Sequence, residues 1–300
     1  MRALDKLKEA KGLLERSNIE DAAREAEMII AHCLMIDIVK IYRDNPEITG
    51  DLMRKIDKLM ERRAEREPMQ YIVGLVEFLG LKIGVGQGVL VPRPETELLA
   101  EEAIKTVKRE LIGGRSMSAH ASQFTSLRFL DLCTGSGCLA LSLALAFPGA
   151  QVYGTDTSED ALHYAQENAE LNNIKNVIFM KGPLFEPVKG VTFDLVVSNP
   201  PYIRSKDIDD LQPEIRNWEP RDALDGGEDG LDYYRAIIPV IKNYLRHGGV
   251  LVLELGMNQA ASVKHMAEDA GVRDTGFVKD YAGIDRIFIA KNNILTKNKL

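Results

Sequence analysis

RFLDLCTGSGCLALSLALAF, residues 128–147, is the stretch on which the fold turns. RFLDL is a short apolar run of strand length. LALSLALAF has helical length, and Pro148-Gly149 stops it. Between them lies a turn of small residues, Cys133-Thr134-Gly135-Ser136-Gly137. A strand entering a helix through such a turn lets backbone approach a ligand closely. The helix behind it presents free N–H groups and the positive end of its dipole. The pattern continues as GxGxxA through Gly135, Gly137 and Ala140. Alone it marks either a ligand loop or a tight connection.

Downstream the alternation repeats. QVYGTD (151–156) reads as a second strand, and Ser158 caps the helix EDALHYAQENAELN, which has acids in its first turn. NVIFMKG, FDLVVSNPPY and GVLVLELG read as three more strands, and residues 276–278 and 286–290 as a closing hairpin. Alternation of this kind predicts an α/β fold with a mostly parallel, doubly wound, Rossmann-like sheet.

Upstream, residues 1–74 read as a helical domain. Leu4, Leu7 and Leu14, then Ala22, Ala26, Ile29, Ile30, Cys33 and Leu34, follow helical spacing. Asn45-Pro46 breaks the chain. Leu52, Ile56, Leu59 and Met60 resume the period on a third helix, whose charged face reads as solvated, and Glu67-Pro68 ends it. Residues 75–94 read as a β-hairpin linker turning at GVGQG (84–88). Glu95 or Thr96 then starts a helix carrying Leu98, Leu99, Ala103, Ile104 and Val107. The catalytic domain is expected over 95–291, with a surface loop at 113–126 and a frayed basic tail at 292–300.

Composition narrows the function classes. The 300 residues carry a net charge of −7 and are 45% hydrophobic. That supports a proper core and gives no broad electrostatic footprint for nucleic acid, so no direct nucleic-acid partner is expected. No apolar run reaches membrane-span length, and the first residues have no secretory pattern. Cys33, Cys133 and Cys138 form no CxxC pair, and the five histidines have no ligand spacing. A reduced, cytoplasmic setting without a metal site is expected.

Two further motifs carry chemistry. Asp156 ends the second strand about 20 residues past Gly135, where an acid accepts both ribose hydroxyls of an adenosine; the alternative is a helix-capping Asp. Ser198-Asn199-Pro200-Pro201-Tyr202 ends the fourth strand. Prolines cannot extend a ladder, but they hold a rigid turn. The Asn199 amide oxygen, the backbone carbonyls and the Tyr202 ring would suit a planar NH₂ group. No dehydrogenase proton relay is recognisable.

DLCTGSG, GTD and SNPPY, in that order, resemble a class I methyltransferase that uses S-adenosylmethionine. EPMQYIVGLVEFLGLKI (67–83), VLVPRPETELL (89–99) and Trp218-Glu-Pro-Arg-Asp-Ala-Leu224 extend the resemblance over nearly the whole chain, to the HemK/PrmC family. Its members are protein-(glutamine-N5) methyltransferases of peptide chain release factors. The resemblance implies S-adenosylmethionine as cofactor. It implies as substrate the glutamine of the Gly-Gly-Gln motif in bacterial class 1 release factors. Separately, a monomer is expected. It implies that Cys133, Thr134, Gly135, Ser136, Gly137 and Asp156 hold the cofactor, with Leu184 and Phe185 beside the adenine; Asp131 either contacts the cofactor's amino group or braces the loop. Asn199, Pro200, Pro201 and Tyr202 would grip the substrate amide, Asn199 touching the cofactor as well. Pro183 departs from the family, which commonly carries an acidic or amide residue there; it removes a side-chain acceptor for the adenine amine. Rival readings are glutamine methylation of a ribosomal protein, N6-adenine methylation of nucleic acid, and a non-catalytic adenosine-binding module.

Overall fold

A computed structural model of the chain describes residues 1–111 and 127–293. The loop expected at 113–126 and the tail from 294 onward lie outside the described residues. Two compact units emerge: residues 1–76 with 211–218, and residues 77–210 with 219–300.

The first unit carries α1 (Ala3–Arg16), α2 (Ala22–Leu34), α3 (Ile38–Asp44), α4 (Gly50–Ala64) and α5 (Met69–Val73). The apolar period lines its core with Ala3, Leu14, Ile29, Ile30, Ile41, Ile56 and Met60. Two helices, α3 and α5, go beyond the sequence reading. Each is two turns or less, too short for a clear period. Asp37 caps α3 by accepting from the Val39 N–H. On α4, Arg54, Lys55 and Lys58 are solvated as expected, but Arg63 is buried. Arg63 pairs with Glu25 and donates to Glu214 at 3.0 Å; Arg66 donates to the other Glu214 oxygen at 2.8 Å. Glu214 lies on the one-turn helix α9 (Pro213–Arg216), so these pairs join the later segment 211–218 to this unit.

The strands β1 (Leu75–Phe78) and β2 (Leu81–Gly84) form a two-stranded hairpin. Its turn is Leu79-Gly80, both at positive φ (47° and 80°), and not GVGQG. A two-residue turn with both central residues left-handed matches the twist of the strands it joins. Asn168 and Asn172, one helical turn apart on a later helix, clasp β2. Asn168 Oδ1 accepts from the Gly84 N–H at 2.6 Å and Asn172 Oδ1 from the Lys82 N–H at 3.0 Å.

The second unit continues through α6 (Pro94–Thr106), β3 (Arg128–Leu132), α7 (Cys138–Ala146), β4 (Gln151–Asp156), α8 (Glu159–Leu171), β5 (Val177–Lys181) and β6 (Phe193–Ser198). It ends with α10 (Asp232–Ile237), β7 (Leu245–Glu254), α11 (Ala260–Asp269), β8 (Asp274–Lys279) and β9 (Asp285–Lys291). Helix α6 starts at Pro94, one or two residues before the expected start, because proline is preorganised for the first helical position. Among the described residues the sheet order is β5-β4-β3-β6-β7-β9-β8. The first five strands are parallel, and β9 runs antiparallel to both β7 and β8. This is the doubly wound sheet with its closing hairpin. Every residue of β6 is buried, as befits a central strand covered on both faces. Phe193, Val196, Leu251, Leu253 and Phe288 belong to the core cluster on the α10–α11 side. Asn292, placed in the frayed tail by the sequence reading, donates to the Leu245 carbonyl at 3.0 Å.

Candidate active site

Register brings the motifs together. Leu132 of β3 lies beside Thr155 of β4 on one side and Ser198 of β6 on the other. Asp156 lies beside Lys181 of β5, and Ser198 beside Leu253 of β7. The residues at and just past these strand ends are Cys133, Asp156, Gly182, Asn199 and Glu254, so they leave the sheet side by side. Chain order runs outward from β3 through β4 to β5, then from β6 to β7 on the other side. The carboxyl edge between β3 and β6 is therefore the topological switch point, where open α/β sheets bind ligands.

A cleft of 580 Å³ opens at this edge. Cys133 and Gly135 form one wall, Thr155 to Ser158 another, and Gly182, Pro183 and Leu184 a third. Asn199 and Pro201 line it too. Gly88 to Leu90, Ala161, Pro220, Asp222, Ala223, Asp232, Tyr233 and Ala236 complete the lining, and none of these was an expected ligand residue.

The expected residues divide into those facing the cleft and those behind it. Gly135 faces it: φ is +54°, and a Cβ there would meet nothing within 4 Å. The Asp156 carboxylate accepts from the Gly135 N–H at 2.9 Å and the Ser158 N–H at 3.0 Å, so it closes the turn that leads into Ser158, the cap of α8, and braces the glycine turn as well. The Thr157 N–H also points at the carboxylate, and of its four acceptor positions at least one stays free for a ligand. Burial raises its pKa. Asp131 is fully buried behind the turn. One oxygen accepts from Thr134 Oγ1 at 2.6 Å and from the Ala140 N–H at 3.1 Å; among the described residues the other has no partner. Burial pushes its carboxyl up to about 7. Thr134 and Ser136 are buried, and the Ser136 carbonyl accepts from Asn168 at 2.9 Å. Gly137 is the N-cap of α7. Thr134, Ser136 and Gly137 thus shape the turn from behind.

Three of the expected residues sit back from the cleft. Phe185 is buried and stacks on Tyr244 with ring centroids 4.1 Å apart, because the Leu184 carbonyl is pinned by Thr155 Oγ1 at 2.8 Å and the chain turns inward. Pro183 and Leu184 therefore form the apolar wall without it. Pro200 is buried, and the contact expected of it is left to its backbone carbonyl. Tyr202 does not line it either: its hydroxyl donates to Glu254 Oε1 at 3.2 Å, and its ring packs against the core.

The SNPPY segment is held from behind by close backbone approach. The Tyr202 carbonyl accepts from Gln259 Nε2 at 2.9 Å, and Ile203 pairs with Asp225. A Cβ on Gly226 would meet Tyr202 Cα at 2.7 Å and the Pro201 carbonyl oxygen at 2.8 Å. Gly226→Ala is expected to displace the segment, with an overpacking cost of about 1–3 kcal/mol. Thermal denaturation should show a Tm lower by several degrees, together with reduced turnover. Wild-type Tm and turnover would show that the segment yields freely.

The sequence reading missed the residues behind Asn199. Asn199 Nδ2 donates to Thr96 Oγ1 at 3.0 Å, and Thr96 Oγ1 donates to Glu254 Oε2 at 2.9 Å. Glu254 is fully buried, and burial pushes its carboxyl up to about 7. A carboxylate closing the apolar run VLVLE was the available signal, since buried acids are rare without partners. Arg93 donates to Glu219 at 2.6 Å, and the Val91 N–H to the same buried carboxylate at 3.3 Å, so the WEPRDAL and VLVPRP motifs form one brace. Among the described residues no cluster of His, Cys, Asp and Glu could hold a metal ion, and no helix is long and apolar enough to cross a membrane.

Known proteins resemble this chain along its length. The profile described as a PrmC N-terminal domain matches residues 5–74, and one described as a methyltransferase domain matches residues 124–286. Among solved structures, the human METTL16 catalytic domain shares the fold at a TM-score of 0.55, with 17% identity over 83% of this chain and 84% of that one. A release factor glutamine methyltransferase from Thermodesulfovibrio yellowstonii is 46% identical over 98% of this chain and 99% of its own. One from Geobacter sulfurreducens is 42% identical over 92% of each. Identity of this extent, spanning the helical unit, the glycine turn and the SNPPY edge together, shows that the chain belongs to the release factor glutamine methyltransferase family.

Proposed function

We propose that this chain transfers a methyl group from S-adenosylmethionine to the side-chain amide nitrogen (N5) of the glutamine in the Gly-Gly-Gln motif of bacterial class 1 release factors. The observation that carries the reading is the placement of the glycine turn, Asp156 and Asn199 on one cleft at the switch point of the sheet. The names of the relatives support the same substrate class.

The residues present fit the cofactor. Gly135 leaves open space for a ligand, and Asp156 keeps acceptor capacity for the ribose. Pro183 and Leu184 supply apolar contact for a base. Burial disfavours the charged forms of Asp131 and Asp156. A cationic ligand offsets that cost, because an opposite charge nearby favours the carboxylate. When bound, S-adenosylmethionine supplies an electrophilic methyl group on a cationic sulfur.

The protein's task is placement. An amide nitrogen is a poor nucleophile because its lone pair is delocalised into the carbonyl. Asn199 Oδ1 and the Pro200 carbonyl are the proposed acceptors of the two amide hydrogens. As the nitrogen gains positive character, these acceptors bind it more tightly, which favours the transition state over the ground state. Orientation of this kind supplies about 7–11 kcal/mol of a barrier. Tyr202 serves by anchoring the segment to Glu254. Residues 1–74 are the proposed docking domain for the protein substrate, 75–94 the linker and 95–291 the catalytic domain, acting as a cytoplasmic monomer.

The test is methyl transfer from labelled S-adenosylmethionine to a purified release factor, beside its Gly-Gly-Gln to Gly-Gly-Ala variant. Label on the first and none on the second is the expected result. Equal label on both would move the acceptor elsewhere, and label on neither would reject the substrate class.

A further inference from the structure

Resting on that reading, Asn199 serves a glutamine amide only when its oxygen faces the cleft. The oxygen and nitrogen of a side-chain amide have nearly the same shape, so a hydrogen-bond partner must decide the flip. The partner is Thr96, and the network behind it has one consistent direction. Glu254 Oε2 lies 2.9 Å from Thr96 Oγ1, and Glu254 Oε1 lies 3.2 Å from the Tyr202 hydroxyl. An ionised carboxylate only accepts, so it takes the hydroxyl protons of both. A hydroxyl has one proton. With that proton held by Glu254, Thr96 can only accept from Asn199, and what it accepts is the Nδ2 N–H at 3.0 Å. Oδ1 is left for the substrate.

We propose that Thr96 and Glu254 are positioning residues that set the flip of the Asn199 amide, and that methyl transfer requires Glu254 to be ionised. A proton on Glu254 Oε2 reverses the chain. Glu254 then donates to Thr96, Thr96 donates to Asn199 Oδ1, and the Asn199 NH₂ meets the substrate NH₂ as donor against donor. Separations of 103 and 158 residues along the chain make this a product of the fold, not of local sequence.

Thr96 and Glu95 face Glu254 from α6, Cys138 from the start of α7, Tyr202 from the segment after β6, and Arg286 from β9; the Cys138 thiol, pushed up by burial, stays neutral through the neutral range. Tyr234 of α10 donates to its backbone carbonyl at 2.9 Å. Burial outweighs the opposing bonds and the Arg286 charge, with Glu95 adding to the rise, so the carboxyl titrates at about 7. A carboxyl with a raised pKa is protonated below that value. Turnover is therefore expected to rise with pH through the neutral range and to level off above it.

The experiment uses the full chain and a release factor that the wild type labels. Thr96→Val keeps the shape and removes the hydroxyl. It is expected to lower kcat by at least about 10-fold, a part of what one lost polar contact to the reacting group costs. KM for the release factor and the dissociation constant for S-adenosylhomocysteine should change little. Thr96→Ser should recover most of kcat. Glu254→Gln, which cannot ionise, should abolish the rise of kcat through neutral pH. A Thr96→Val enzyme with wild-type kcat overturns the proposal, and so does a Glu254→Gln enzyme that keeps the wild-type pH profile, since Asp131 would then own the titration. If Thr96→Val does not fold, the Glu254→Gln profile decides alone. A wild type that labels no glutamine overturns the functional reading and this proposal with it.

Discussion

Replacing Asn199 by alanine is expected to lower kcat on the release factor by about 10²–10³-fold, the usual loss when one preorganised polar contact to a reacting group is removed. On the proposed role, Oδ1 binds the substrate nitrogen more tightly as positive charge develops there. Its loss therefore falls on the transition state. The dissociation constant for S-adenosylhomocysteine should change little, because the glycine turn, Asp156 and the Pro183–Leu184 wall remain. The fold should survive: Asn199 is only partly buried, and among the described residues its side chain bonds to Thr96. Single-turnover methyl transfer with calorimetric titration of S-adenosylhomocysteine separates the two effects. Equal losses in both would reassign Asn199 to cofactor binding.

Asp156→Ala is expected to fail the other way. The carboxylate accepts from the Gly135 and Ser158 N–H groups. Its removal leaves both unpaired, at about 1–3 kcal/mol each where water cannot reach. The turn loses its brace, and the proposed ribose acceptor is lost with it. Affinity for S-adenosylhomocysteine should fall by at least about 100-fold, since 1.4 kcal/mol is a factor of ten. Asp156→Asn keeps one acceptor oxygen and should fall between the two. Affinity within a few-fold of wild type in Asp156→Ala would show that Asp156 is a structural cap and not a ligand residue.

Much of the catalytic architecture was legible because its signals are local. RFLDL and FDLVV are central parallel strands buried on both faces, so they read as apolar runs, while QVYGTD is half buried and VIFMK lies part-exposed at the edge of the sheet. The small-residue turn at Gly135 and the acid at Asp156 follow from what a strand-to-helix connection needs beside a ligand. The misreadings were also physical. GVGQG looked like a hairpin turn because of its glycines, yet Leu79-Gly80 took the left-handed positions. Helix α3 spans two turns, too few for its period to stand out. Arg63 looked solvated until Glu25 and Glu214 were brought beside it.

By itself, then, the sequence determined the succession of strands, turns and helices, and with it the chemistry that stands at each strand end. Hydrophobic period and turn geometry are properties of neighbouring residues. Only the tertiary structure decided who meets across the sheet. It turned Phe185 inward onto Tyr244, paired Arg93 with Glu219, and placed Thr96 between Asn199 and Glu254. The reason is that a hydrogen bond has a direction as well as a length. Which of two groups donates depends on where each proton is already held, and that is settled by partners more than a hundred residues away.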